Sequence, residues 1–263
     1  MIIQQHIHDI QTPTGVVRVT VFRPAGVFRP AGVFRPAGDF KPVTESRYPS
    51  IILYSEIFQQ TSPITRSAQI LASHGFVVLV PEIFHELNPL GTVMAYDDAG
   101  KDKGNADKFT KPLEHHDSDT QAMVEFVQQQ PYCTDKVGTI GVCIGGHLAF
   151  RAALNKQISG AFCLYPTDLH SNTLPCIEGN DSLTRSGDIR CPMVLVFGKQ
   201  DPHVSAEGRV LIQQTLSQNG SDFNWHEVNA QHAFMRDEGD RYDAALAIQI
   251  YKMAIDFFHS TLH

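Results

Sequence analysis

The segment Val137-Gly138-Thr139-Ile140-Gly141-Val142-Cys143-Ile144-Gly145-Gly146-His147-Leu148 constrains the fold more than any other part of this chain. A β-branched run ending at Ile140 reads as a buried strand, and Leu148, Ala152 and Ala153 recur at helical spacing, so Cys143 falls on the turn between a strand and a helix. Gly141 and Gly145 flank it in a G-x-C-x-G pattern. A sharp strand-to-helix turn crowds the backbone, and side chains two positions to either side would collide with the neighbouring strand and helix. This is the pattern of a nucleophile elbow, with sulfur in place of the serine oxygen. The helix N-terminus next to such a sulfur favours thiolate over thiol. Alone, the pattern fits a small buried cysteine in a packing turn equally well.

The rest of the chain supplies the context. Ser50-Ile51-Ile52-Leu53-Tyr54, Phe76-Val77-Val78-Leu79-Val80, Gly160 to Tyr165 and Pro192 to Gly198 are continuously apolar, as parallel strands covered on both faces are. Between them lie helical segments: one opened by Ser62 as N-cap with Pro63 behind it and closed by Gly75, one from Asp119 to Gln129, and one from Ser205 to Gln218 with Val210, Leu211 and Leu216 inward. Gly15 to Phe22 and Phe223 to Val228 read as further strands, and Asp243 to His259 as the last helix. The expectation is one α/β domain over residues 1–263, a mostly parallel, doubly wound sheet flanked by helices on both faces. Residues 82–113 read as a polar loop that could cover a site.

Val21 to Gly38 spell V-F-R-P-A-G three times. A proline and a glycine in every six residues forbid a regular helix or central strand, so the repeat is expected as a loop insertion. A functional alternative is a homo-oligomer contact through Phe22, Phe28 and Phe34, with Arg23, Arg29 and Arg35 at its rim.

A formal charge of −7 with no basic stripe argues against nucleic acid or an anionic membrane surface as partner. No apolar run has the length of a membrane span, and residues 1–11 are too polar for a signal peptide, so a cytoplasmic protein is expected. Five cysteines without a C-x-x-C pair read as reduced thiols. The run His115-His116-Asp117 lacks a second ligand pair at metal spacing and is better placed at the start of a helix; neither metal nor cofactor is expected.

In such a sheet, reactive groups collect beyond the C-terminal ends of the strands. Cys143, Asp201 and His232 each follow a strand, in the chain order nucleophile, acid, histidine that α/β-hydrolases use. With the loops Glu56-Ile57-Phe58, Gly141 to Gly146, Gly198 to Val204 and His232-Ala233-Phe234-Met235-Arg236, the sequence resembles the dienelactone hydrolase family of α/β-hydrolases over nearly its whole length outside the repeat. The resemblance implies a cysteine-dependent hydrolase of a lactone or small ester, working through a thioester acyl-enzyme. Cys143 would be the nucleophile, His232 the base, Asp201 its orienting acid, and Glu56 a carboxylate acting on the resting thiol. Backbone N–H groups of Ile144 and Ile57 are the expected oxyanion donors. Arg236 matches one of two arginines that hold the substrate carboxylate in the family. A second is expected soon after Pro81, where this chain has Glu82-Ile83-Phe84-His85-Glu86, and a glutamate there would repel an anionic substrate. His85, His115 or Arg241 could take its place. The same triad would also serve a thioesterase or acyltransferase, and a non-catalytic binding protein of the same fold is the alternative outside enzymes.

Overall fold

Eight strands form one sheet in the computed structural model, which describes residues 2–25 and 47–263. In chain order the elements are β1 (Ile2–Thr12), β2 (Gly15–Ala25), β3 (Tyr48–Tyr54), α1 (Ser62–Ser73), β4 (Val77–Pro81), α2 (Asp98–Lys108) and α3 (Leu113–Gln128). There follow β5 (Cys133–Val142), α4 (Ile144–Ala152), β6 (Ile158–Leu164), β7 (Met193–Gly198), α5 (Ala206–Gln218), β8 (Phe223–Val228) and α6 (Ala244–Leu262). Across the sheet the order is β1-β2-β4-β3-β5-β6-β7-β8. β1 and β2 run antiparallel to their neighbours, and every pairing from β4 to β8 is parallel.

The apolar strands are apolar because both their faces are covered. In β3, Ile52 and Tyr54 join the core beneath α3, α4 and α5, whereas Ile51 and Leu53 join the core beneath α1 and α6. Alternate residues of one strand thus feed two cores. No helix among the described residues is long and apolar enough to cross a membrane.

Several expectations need correction. β1 has no hydrophobic alternation to announce it, since most of its side chains are exposed at the sheet edge. The first copy of the repeat is strand, not loop, as far as Ala25: Phe22 is fully buried opposite Val78 of β4, so it is core rather than an oligomer contact. Pro24 is tolerated because beyond Phe22 the strand pairs with β1 alone, and an edge can spare an N–H. Arg23 lies over the Tyr132 ring. Phe28, Phe34, Arg29 and Arg35 lie outside the described residues. In α1 the N-cap is Thr61 rather than Ser62. In α5, Val210 and Leu211 are half exposed, and the inward face is Gly208, Arg209, Ile212 and Leu216. The segment 82–113 is not all loop, because it contains α2, whose buried positions are Gly100, Gly104 and Asp107 rather than large apolar residues.

Candidate active site

Cys143 stands between the last residue of β5 and the first of α4, with φ 59° and ψ −126°. Such a positive φ is rare for any residue but glycine and persists only where the surroundings hold it. Here the Cys143 N–H donates to Leu164 O at 3.1 Å, and its carbonyl accepts from the N–H groups of Gly146 and Thr167 at 3.0 and 3.3 Å. The glycines give these elements room to meet. A Cβ on Gly145 would lie 2.6 Å from the Tyr54 carbonyl carbon and closer still to the Tyr54 and Ser55 oxygens, and one on Gly141 would overlap the Gly145 carbonyl.

The loops after β7 and β8 bring the other two members. Main-chain bonds from Lys199 to Val228 and from Gln200 to Ala230 tie the loops together. His232 Nδ1 then lies 2.7 Å from Asp201 Oδ2, and the other Asp201 oxygen accepts from the His203 N–H at 2.8 Å. An ionised carboxylate only accepts, so Nδ1 carries the hydrogen and Nε2 is left for the cysteine. Burial alone would lower the His232 pKa. The negative charge and hydrogen bond of Cys143, with the bond to Asp201 and its charge, outweigh that and raise it to about 10. His232 is therefore held as an imidazolium beside the Cys143 sulfur.

Ile57 follows β3 and borders the same cavity as Cys143. Its N–H donates to no acceptor among the described residues. The Ile144 N–H opens α4 directly after Cys143, in the first turn where helical N–H groups lack intrahelical partners. Glu56 is buried; it accepts from the Tyr96 hydroxyl at 2.5 Å, and its second oxygen lies 3.7 Å from Arg236 Nη1. Burial raises the Glu56 pKa, while Tyr96, Arg236 and His232 oppose the rise.

The cavity over Cys143 has a volume of about 280 Å³. One wall is the α2 face bearing Lys101, Asn105 and Lys108, spaced so that they share one side of a helix. Lys108 is tied at 2.9 Å to Asp168 in the loop after β6, and Arg236 and Arg241 complete the basic lining. The acidic lining residues are Glu56 and Asp168, so four lysines and arginines face two carboxylates.

With the triad on loops at one end of such a sheet, comparison with known proteins becomes informative. The model of the "Dienelactone hydrolase family" matches residues 37–262. The chain belongs to that family. It is 40% identical to a "Putative carboxymethylenebutenolidase" of Saccharomyces cerevisiae over 94% of this chain and 88% of the relative. It is 25% identical to the carboxymethylenebutenolidase of Pseudomonas putida over 80% of this chain and 84% of that one. Among solved structures, a "Putative Dienelactone Hydrolase" from Klebsiella pneumoniae subsp. pneumoniae superimposes with a TM-score of 0.79 at 16% identity, covering 98% of this chain and 99% of the other. That likeness bears on the α/β-hydrolase fold alone.

Within this dienelactone hydrolase family member, the concern over Glu86 disappears. Glu86 is outside the cavity lining; its oxygens lie 2.9 Å from Lys111 Nζ and 2.7 Å from His115 Nδ1. His85 is buried too, with Nε2 3.1 Å from both oxygens of Asp119. Of the three substitutes considered for the second arginine, Arg241 alone borders the cavity. Ligand atoms of His85, Glu86 and Asp119 fall within 4.8 Å of one another, but the Lys111 ammonium sits 2.6 Å from Asp119 and already balances them. Arg236 does not pair with Asp237 or Glu238, both of which bind Arg66. The α2 wall and Tyr96 escaped the sequence reading. The signals available were Asp97 as N-cap and glycines four residues apart, a helix marked by small residues instead of apolar ones.

Proposed function

We propose that this family member hydrolyses a lactone or small carboxylic ester through a thioester on Cys143. The observation that carries the reading is the line Cys143–His232–Asp201, with the cysteine at a strained elbow and the histidine held as a cation. Glu56 is the group that accepts the thiol proton when the resting cysteine ionises, its basicity raised by burial.

The thiolate attacks the carbonyl carbon, forming a C–S bond as the carbonyl π pair moves onto oxygen. The N–H groups of Ile57 and Ile144 serve as donors to that oxygen in this reading, and one such donor is worth about 3–4 kcal/mol. Collapse of the tetrahedral intermediate breaks the C–O bond while the His232 imidazolium gives its Nε2 proton to the departing alkoxide. In a lactone the alcohol stays on the same molecule. The neutral imidazole, still oriented by Asp201, then takes a proton from water as the water attacks the thioester, and Cys143 leaves as thiolate.

The lining supports an anionic substrate. The chain carries a formal charge of −7, yet Lys101, Lys108, Arg236 and Arg241 outnumber Glu56 and Asp168 around the cavity. A field of that sign concentrates a carboxylate substrate, and Arg236 at 20% side-chain exposure is placed to hold it.

The test is steady-state turnover of p-nitrophenyl acetate and a panel of neutral and carboxylated lactones, with and without chelator, for wild type and Cys143→Ala. Multiple turnovers that survive chelator and vanish in the variant are expected. A Cys143→Ala protein that turns over like wild type would sink the reading, and products formed only with an added acyl acceptor would replace hydrolysis by acyl transfer.

A further inference from the structure

Glu56 and Arg236 are opposite charges at the cavity, but they do not hold each other. At 3.7 Å their nearest atoms are beyond hydrogen-bond distance. The short bond to Glu56 comes from Tyr96, at 2.5 Å. A second hydroxyl, Thr61 Oγ1, lies 2.7 Å from the same Tyr96 oxygen. Tyrosine has one proton, and with Glu56 ionised that proton is committed to the carboxylate, so Thr61 is the donor of the second bond. Thr61 thereby turns the Tyr96 proton toward Glu56. The other side of Tyr96 serves Arg236, whose Cζ sits 4.3 Å from the ring centroid, at cation–π distance. Phe58 packs against the ring edge-on at 4.7 Å and fixes its plane.

We propose that Tyr96 is a positioning residue of this site: its hydroxyl fixes the Glu56 carboxylate, its ring carries the Arg236 guanidinium, and one side chain sets the resting positions of both charges. The proposal rests on the reading of Glu56 as proton acceptor for Cys143. The charged and titratable groups facing Glu56 are Tyr96 from the segment before α2, Arg236 and His232 from the loop after β8, and Tyr165 from the end of β6. Of these, Tyr96 supplies the largest of the effects holding the Glu56 pKa down against burial. Loss of the hydroxyl therefore raises that pKa further, and the carboxylate is lost at a higher pH.

The experiment is the pH dependence of kcat/KM for p-nitrophenyl acetate, a neutral ester that leaves Arg236 out of the measurement, in wild type, Tyr96→Phe and Thr61→Val. Removing one hydrogen bond to a buried carboxylate predicts about a tenfold loss at pH 5.5 in Tyr96→Phe, with at least about a third of wild-type activity kept at pH 8. The rate of Cys143 alkylation by iodoacetamide follows the same pattern, since it reads thiolate supply without any acyl chemistry. Thr61→Val shifts the acid limb in the same direction by less, and it keeps the test open should Tyr96→Phe fold poorly. An unchanged pH profile overturns the proposal. So does a loss of equal size at every pH, which is what a merely structural tyrosine gives. Turnover in Cys143→Ala would instead overturn the underlying reading and is scored separately.

Discussion

Replacing Gly145 by alanine puts the packing of the elbow to a quantitative test. The added Cβ would lie 2.6 Å from the Tyr54 carbonyl carbon, where ordinary contact begins near 3.4 Å, and its nearest neighbours are main-chain atoms of β3 and the loop after it. Neither a rotamer change nor a flexible side chain can make way. Helix α4 must withdraw from β3 by roughly 1 Å, and overpacking of this kind costs about 1–3 kcal/mol or more. For a chain of this size each kcal/mol lowers the melting temperature by about 2–4 °C, so a drop of about 2–12 °C is expected by calorimetry. Catalysis suffers separately. Cys143 is the N-cap of α4 and Ile144 its first residue, so the same withdrawal moves the sulfur and the Ile144 N–H, a proposed oxyanion donor, away from Ile57. A misplacement of about 1 Å can cost about 100-fold. The assay is p-nitrophenyl acetate turnover well below the melting temperature, with Gly187→Ala as control, because a Cβ there meets nothing closer than 3.6 Å. If Gly145→Ala melts and turns over like the control, the close approach of α4 to β3 is not what holds the nucleophile, and the reasoning fails.

Three further changes separate the parts of the site. Asp201→Asn removes the charge that orients His232, and kcat/KM should fall about 10²–10⁴-fold, measured at constant pH. The same pair has a stability signature: unfolded histidine gives up its proton near pH ~6.5, but His232 keeps its proton to about 10. Its contribution is therefore whole below about pH 6.5 and is lost as pH rises through about 10. A melting temperature that does not fall more steeply across that range in wild type than in Asp201→Asn contradicts the assignment. Gly104→Ala would place a Cβ 2.6 Å from the Ile57 carbonyl oxygen and push α2 against the loop of that proposed oxyanion donor, so kcat should drop about tenfold or more with KM little changed. Asp119→Asn leaves the fully buried Lys111 ammonium short of a counter-charge and should cost about 3–5 kcal/mol in urea unfolding, without altering KM. Asp119 is pushed up by burial but held down to about 2 by His85 and Lys111, so its stabilisation is present above about pH 4 and disappears as pH falls through about 2.

The sequence by itself determined the fold class and singled out the elbow and the candidate residues that the structure brings together. Apolar runs covered on both faces declare parallel strands, and a glycine pair around Cys143 declares a tight turn, because these requirements act within a few residues of chain. Asp201 and His232 could be picked from many acids and histidines because chain order and position after a strand are linear properties. What only the tertiary structure decided lies where local signals are weak or contradictory. The edge strand β1 has no buried face to pattern it, and α2 buries glycines and an aspartate in place of an apolar stripe, so neither showed a period to read. Glu86 looked adjacent to the substrate by its distance from Pro81, and the structure turns it instead toward Lys111 and His115 on a different element. Tyr96 meets Glu56 and Arg236 across forty residues on one side and well over a hundred on the other, and no spacing rule reaches that far. Charges pair by distance in space, and at these separations along the chain that distance is set by packing of the sheet and its helices, not by sequence neighbours.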